Sequence, residues 1–176
     1  MSTLLKIVLI GIVVVAAAYD LRFRRIPNWL NLSGVIVGVG MNTLLFELHG
    51  FTAAVLGLLC ALLVYVPLYL IRGMGAGDVK LMAAVGAIAG PHDWLAIFIA
   101  TALFGGLVSL ILVLLKGRFN HTCLNLLFIL TELSHGRLPS ARDAELDVRS
   151  SEALRIPHGA LIATGSIAFL IFSAIR

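Results

Sequence analysis

The chain has 176 residues, of which 60% are hydrophobic and only 12% are charged, and its mean hydropathy is +1.05. Because a soluble domain carries about 25% charged residues, this composition excludes an ordinary soluble protein and predicts one that crosses a membrane several times. The formal net charge of +4 does not indicate a nucleic-acid partner, since no surface pattern of basic and aromatic residues accompanies it.

Apolar blocks follow one another along the chain, most of them near the length of about 20 residues that spans a bilayer. Short polar turns separate these blocks, and Pro27 suits the first turn of the second one. The predicted fold is therefore an all-α, polytopic membrane helical bundle that forms a single domain over residues 1–176. Its six transmembrane helices are expected at 4–19, 29–48, 51–71, 78–90, 94–115 and 156–175.

The stretch 116–155 separates the fifth and sixth predicted helices and has a more polar composition. Its apolar part, 120–134, is too short for a comfortable span, so we expect an interfacial segment within a cytoplasmic loop. Basic residues support this even helix count. With the N-terminus outside, 11 of the 13 lysines and arginines fall on the inner side, and cytoplasmic loops carry the excess of such residues.

Two aspartates stand out because each adjoins a long apolar run. Asp20 ends the first run, and Asp78 begins the fourth directly after a glycine cluster. An acidic group beside the hydrocarbon layer is costly to keep, so it indicates a functional site. In the six-helix topology the first helix leaves the membrane where the fourth enters it. Both carboxylates are therefore expected at the same, cytoplasmic, face.

Two facing aspartates can hydrolyse a peptide bond by general acid–base catalysis. The ionised one draws a proton from the attacking water, while the protonated one donates a hydrogen bond to the carbonyl oxygen. Close carboxylates do not both ionise easily, so such a pair shares a proton. Asp78 is predicted at a helix N-terminus, where the macrodipole favours an anion, and Asp20 at a C-terminus. These positions favour Asp78 as the base and Asp20 as the acid.

The residues alone leave other functions open. The same aspartates suit a small ion- or proton-coupled transporter, or they could cap helices in a non-catalytic assembly factor whose long loop docks a partner. The histidines and the two cysteines show no metal-ligand spacing, and the glycines lack the ending of a phosphate-binding loop. We therefore predict no metal and no cofactor.

Three segments, in this order, carry a family resemblance: Asp20 followed by Ile26-Pro27-Asn28, the run Gly-Ala-Gly-Asp-Val-Lys-Leu at 75–81, and Ile-Pro-His-Gly-Ala-Leu-Ile-Ala at 156–163. This arrangement resembles the type IV prepilin peptidase family, which are intramembrane aspartic proteases of the GxGD kind. The resemblance implies cleavage of a short basic leader from pilin-like precursor proteins, at the cytoplasmic face of the bacterial inner membrane.

Carried over by position, Asp20 and Asp78 match the family's catalytic aspartates. The residues around them that belong to the matching motifs are assigned to substrate binding. They are Gly75, Gly77, Lys80, Pro27 and Asn28. Besides the pilin-like precursor, the expected partners are membrane lipids.

Two features depart from the longer members of that family. Those members carry a cytoplasmic insert with paired CxxC motifs, associated with methylation of the new N-terminus, and this chain has neither. It therefore resembles the short, peptidase-only branch that serves tight-adherence (Flp-type) pili, and N-methylation is not expected. His158 stands where the family has a tyrosine, and we interpret it as a packing residue.

Overall fold

The computed structural model describes residues 1–71, 74–115, 131 and 157–175. These residues form four long helices: α1 (Thr3–Phe23), α2 (Asn28–Leu70), α3 (Ala76–Leu115) and α4 (His158–Ile175). Each is long and apolar enough to cross a membrane, which confirms the prediction of an all-α helical membrane protein. The predicted interfacial segment and the rest of the 116–155 loop lie outside the described residues, apart from Thr131.

Helices α2 and α3 are 43 and 40 residues long, about twice the length needed to span the hydrocarbon core. Each contains one residue with a non-helical backbone, Glu47 (φ 52°, ψ −133°) and Gly90 (φ 77°, ψ 172°). Glycine adopts positive φ readily, and the following Pro91 suits the first turn of a new helix. The breaks fall at predicted turns, and each helix as a whole is long enough to provide a pair of spans.

The second half of α2 returns along the path of the first. Before the break in α2, residues later in α2 pack against residues later in α3. After the break, residues later in α2 pack against residues earlier in α3. The neighbouring pairs are Gly34 with Ala84, Gly38 with Ile88, Ala53 with Gly90, and Gly57 with Gly86. In α3, the second half runs antiparallel to α4, because Thr101 adjoins Gly165 while Gly105 adjoins Leu161.

The first half of α3 forms the core of the bundle, and every residue from 81 to 88 is buried. A side chain on Gly57 would collide with the backbone of Gly86, so α2 and α3 cross with their backbones in contact. Small residues permit this close packing between membrane helices. Large apolar side chains such as Leu63 and Leu103 are exposed on the outside of the bundle, where they suit contact with lipid.

The bundle has two distinct ends. At one, which we call the far end, the Met1 amine lies 3.5 Å from a carboxylate oxygen of Asp93, beside the break in α3. The opposite end, called the Asp20 end, holds the last turn of α1 and the first turns of α2, α3 and α4. Four helix termini therefore surround Asp20.

Candidate active site

Asp20 lies in the last turn of α1, because this helix continues to Phe23, beyond the predicted end at Tyr19. Arg24 has a left-handed backbone (φ 53°), and its N–H donates to the carbonyl oxygen of Asp20, which closes the helix. The Asp20 side chain is only 8% exposed. Its Oδ2 accepts a hydrogen bond of 2.8 Å from the backbone N–H of Gly159.

Asp78 lies in the first turn of α3 and is half-buried. The carbonyl oxygen of Gly75 accepts hydrogen bonds from the N–H groups of Asp78 (3.2 Å) and Val79 (3.4 Å). The glycine cluster therefore leads directly into the helix that carries the carboxylate. A helix N-terminus has a partial positive charge, which suits an acidic side chain in the first turn.

The structure brings together the two carboxylates that the sequence singled out. Asp20 and Asp78 come from different helices, and they interact electrostatically at the Asp20 end of the bundle. Because two like charges in such proximity repel each other, protonation of one favours the ionised form of the other. Such a pair is suited to carry one proton in total, as acid–base hydrolysis requires.

The N-terminus of α4 contacts Asp20 directly. The N–H groups in the first turn of a helix have no partner within that helix, and Gly159 gives one of them to the Asp20 carboxylate. A Cβ atom on Gly159 would lie 3.0 Å from Asp20 Oδ2 and 3.0 Å from Asp20 Cβ, so only glycine permits this approach without displacement. His158, half-buried at the start of α4, also interacts electrostatically with Asp20, and its predicted packing role stays a prediction.

The five residues assigned to substrate binding surround the first turn of α3. Pro27 caps the N-terminus of α2, and Lys80 Nζ donates to Asn28 Oδ1 at 2.9 Å. Gly75 adjoins the Asp78 carboxylate, and Gly77 packs against Ile26 in the link between α1 and α2. That link is thereby tied to the turn that carries Asp78. The structure brings these residues together, and their contact with substrate stays a prediction.

Two polar residues near Asp78 were not singled out from the sequence. Asn31 is 3% exposed and donates to the carbonyl oxygen of Gly77 at 3.4 Å. Tyr65 is 2% exposed, interacts electrostatically with Asp78, and packs edge-on against Phe98. The signal was available in principle, because polar groups within apolar runs indicate functional sites.

The remaining described histidines lie outside this cluster of contacts. His92 is exposed at the far end, with Nδ1 at 3.2 Å from Asp93 Oδ1. Within the described ranges, no group of three or more His, Cys, Asp or Glu side chains is placed to hold a metal ion. The sequence-based expectation that the protein needs no metal or cofactor stays a prediction.

Comparison with protein families identifies the chain. The model of the type IV leader peptidase family matches residues 7–110, which is more than half of the 176 residues. The protein belongs to the type IV leader peptidase family. No curated protein and no solved structure has a significant match to it.

Membership confirms the resemblance inferred from the motifs. As a type IV leader peptidase, the protein is an aspartic prepilin peptidase and a multi-pass membrane protein. The matched residues include both Asp20 and Asp78, and they end before α4. The hydrogen bond from α4 to Asp20 is therefore an observation of this structure and lies outside the family match.

Proposed function

We propose that Asp20 and Asp78 are the catalytic pair of this peptidase. The observation that carries the proposal is their meeting at one end of the bundle, where two acids from separate helices interact electrostatically. Burial of Asp20 among helix termini supports the same role. An acid is costly to keep at a membrane interface, so its presence there indicates a function.

We assign the resting charge to Asp20 and the shared proton to Asp78. A hydrogen bond to a charged group contributes about 1.5–3 kcal/mol, and Gly159 makes one to Asp20 at 2.8 Å. The negative end of the α1 dipole disfavours a charged Asp20 by about 0.3–1 kcal/mol. The hydrogen bond from Gly159 of α4 favours the charged form by more than this. This assignment reverses the order expected from the sequence, where the contribution of α4 was not considered.

The chemistry then follows from these charge states. Asp20 accepts a proton from water as the water oxygen bonds to the scissile carbonyl carbon, and Asp78 donates its proton toward the carbonyl oxygen. The tetrahedral intermediate collapses with cleavage of the C–N bond: the leaving amine takes the proton from Asp20, and the hydroxyl formed on the former carbonyl oxygen returns its proton to Asp78. Both aspartates return to their starting states when the products leave.

The substrate class follows from the family, and we assign this protein the short basic leader of type IV pilin-like precursors. The precursor would lie across the first turns of α2 and α3, next to Gly77 and to Gly75, which adjoins the Asp78 carboxylate. Lys80, Pro27 and Asn28 adjoin that path. Lys80 is exposed, and its flexible ammonium group donates to Asn28 Oδ1, so it can exchange this partner for a group of the substrate.

We assign the bundle six spans in a single domain over residues 1–176, with α2 and α3 contributing two spans each. Support comes from the return of each long helix and from the pairing of Met1 with Asp93 away from Asp20. The Asp20 end would face the cytoplasm of a bacterium and the N-terminus would lie outside, because 11 of 13 basic residues then fall inside.

The product is expected to carry no added methyl group, because Cys60 and Cys123 form no CxxC pair. A proton-transport function is disfavoured by the packing beyond Asp78. Residues 81–88 are all buried, and their side chains are apolar apart from the glycine. They leave α3 without a polar path across the core.

The proposed function is tested by incubating purified protein in detergent or liposomes with a candidate pilin precursor. Mass spectrometry of the product should find the leader removed at one bond and the new N-terminus unmethylated, even with a methyl donor present. Intact precursor after prolonged incubation would contradict the assigned substrate class. Proton or ion flux through liposomes in the absence of cleavage would favour the transporter instead.

A further inference from the structure

Asn31 lies where the first turn of α2 meets the first turn of α3. Its side chain is 3% exposed, and Nδ2 donates to the carbonyl oxygen of Gly77 at 3.4 Å. Its Oδ1 is buried and has no hydrogen-bond partner among the described residues. A buried amide that is only half satisfied is uncommon in folded proteins and calls for an explanation beyond packing.

The bond reaches the residue directly before Asp78. The carbonyl group of Gly77 and the N–H of Asp78 belong to one planar peptide unit, so a contact that fixes the carbonyl also orients the Asp78 Cα. Gly77 has no side chain to restrain its own dihedral angles. Gly77 lies in the first turn of α3, so the Asn31 amide adds a side-chain contact to the turn that leads into Asp78.

We propose that Asn31 is a positioning residue that holds the Gly77–Asp78 peptide and thereby aims the Asp78 carboxyl at Asp20. The proposal rests on the catalytic role proposed for Asp78. Loss of the bond would leave the substrate path intact and loosen the geometry of the acid pair. Misplacing a catalytic group by about 1 Å can lower the rate by about 100-fold.

Asn42 provides a matched comparison on the same helix. It is 6% exposed, and its Nδ2 donates to the carbonyl oxygens of Ala87 and Ile88 of α3, both at 3.1 Å. It therefore links α2 to α3 through the same chemistry as Asn31, but close to the break at Gly90. Any effect of removing a buried amide from the α2–α3 interface in general should appear at both positions.

The experiment compares Asn31→Val and Asn42→Val by steady-state cleavage of a pilin precursor and by thermal unfolding. Valine has no donor for the Gly77 carbonyl. Asn31→Val should lower kcat by about 10- to 100-fold and leave KM nearly unchanged. Asn42→Val should keep the wild-type kcat.

The proposal is overturned if Asn31→Val keeps the wild-type kcat, if only its KM rises, or if Asn42→Val lowers kcat equally. Should Asn31→Val fail to fold, Asn31→Ala takes its place with the same expected results. Asp78→Asn is assayed in parallel, because activity in that variant would refute the proposed role of Asp78 and not the role of Asn31 alone.

Discussion

The two ends of the bundle use similar residues in different ways. At the far end, an acid meets an amine, since Asp93 lies 3.5 Å from the N-terminus. At the Asp20 end, an acid meets another acid. The two asparagines of α2 also differ in how well their amide groups are hydrogen-bonded. At the far end, Asn42 Nδ2 donates to three backbone carbonyl oxygens, whereas at the Asp20 end Asn31 Nδ2 donates to one, at 3.4 Å.

This difference indicates what each end contributes. Opposite charges and satisfied amides stabilise a fold, whereas like charges and half-satisfied amides weaken it. Proteins commonly retain locally destabilising groups where function requires them. We therefore propose that the far end holds the helices together and that the Asp20 end keeps its acids in a state that can react.

The largest effect is expected from removing either acid at the Asp20 end. Asp20→Asn or Asp78→Asn keeps the size of the side chain and removes its ability to exchange a proton. Each should lower precursor cleavage by about a thousandfold or more, with little change in the unfolding temperature. The measurement is the initial rate of leader removal by purified variants of matched concentration.

Asp93→Asn is the control from the far end. It removes a carboxylate that pairs with Met1, and cleavage should stay within about twofold of wild type, as for most substitutions away from a site. If Asp93→Asn abolished cleavage while Asp20→Asn did not, the contrast between the two ends would be wrong.

The next largest effect is expected at the contact between α4 and Asp20. In Gly159→Ala, the new Cβ would lie 3.0 Å from Asp20 Oδ2, so α4 or the Asp20 side chain must shift by a few tenths of an ångström, which disturbs the hydrogen bond between them. Cleavage should fall by about 10- to 100-fold. Gly106→Ala is the control, because a Cβ at Gly106 meets no atom within 4 Å. Equal activity of the two variants would contradict a role for α4 at the site.

A stability effect without an activity effect is expected at the far end. Asn42→Val leaves the carbonyl oxygens of Ala87 and Ile88 without this donor, which should lower the free energy of unfolding by about 1–3 kcal/mol. Denaturant unfolding in micelles measures the loss. An unchanged unfolding free energy would mean that Asn42 does not link α2 to α3 in the membrane.

The smallest effect is expected at Lys80. Lys80 is exposed, and exposed ionic contacts are worth about 0–1 kcal/mol, so loss of a substrate contact in Lys80→Met should raise KM by about five-fold at most. Lys6 lies in the first half of α1, where its Nζ donates to Ser173 Oγ near the end of α4 at 3.5 Å, and Lys6→Met should leave KM unchanged. A large fall in kcat with constant KM would assign Lys80 to the positioning of Asp78 and not to substrate binding.

Much of the fold was predictable because apolar run length is a direct consequence of bilayer thickness. The predicted turns near Glu47 and Gly90 coincide with the breaks in α2 and α3. The two acids were predictable for a related reason, since charged groups stand out in a sequence with few of them. The prediction that both acids lie at the same membrane face needed only the order of the spans, because the first helix ends on the side where the fourth begins.

The rest of the site depends on contacts that sequence patterns do not encode. Gly159 and Asp20 are 139 positions apart, so the donor from α4 was not inferred, and the acid–base order deduced from α1 and α3 alone was incomplete. Asn31 and Tyr65 lie within apolar runs where an amide or a phenol has several ordinary packing roles. Only their neighbours, Gly77 and Asp78, distinguish them from such residues.

The central claim is that α1 and α3 bring Asp20 and Asp78 together, and crosslinking tests it most directly. In a variant without native cysteines, Asp20→Cys with Asp78→Cys is treated in membranes with a short bifunctional maleimide, and joined peptides are identified by mass spectrometry. Asp20→Cys with Asp93→Cys is the control. We expect a crosslink in the first pair and none in the second. A crosslink between positions 20 and 93, with none between 20 and 78, would contradict it.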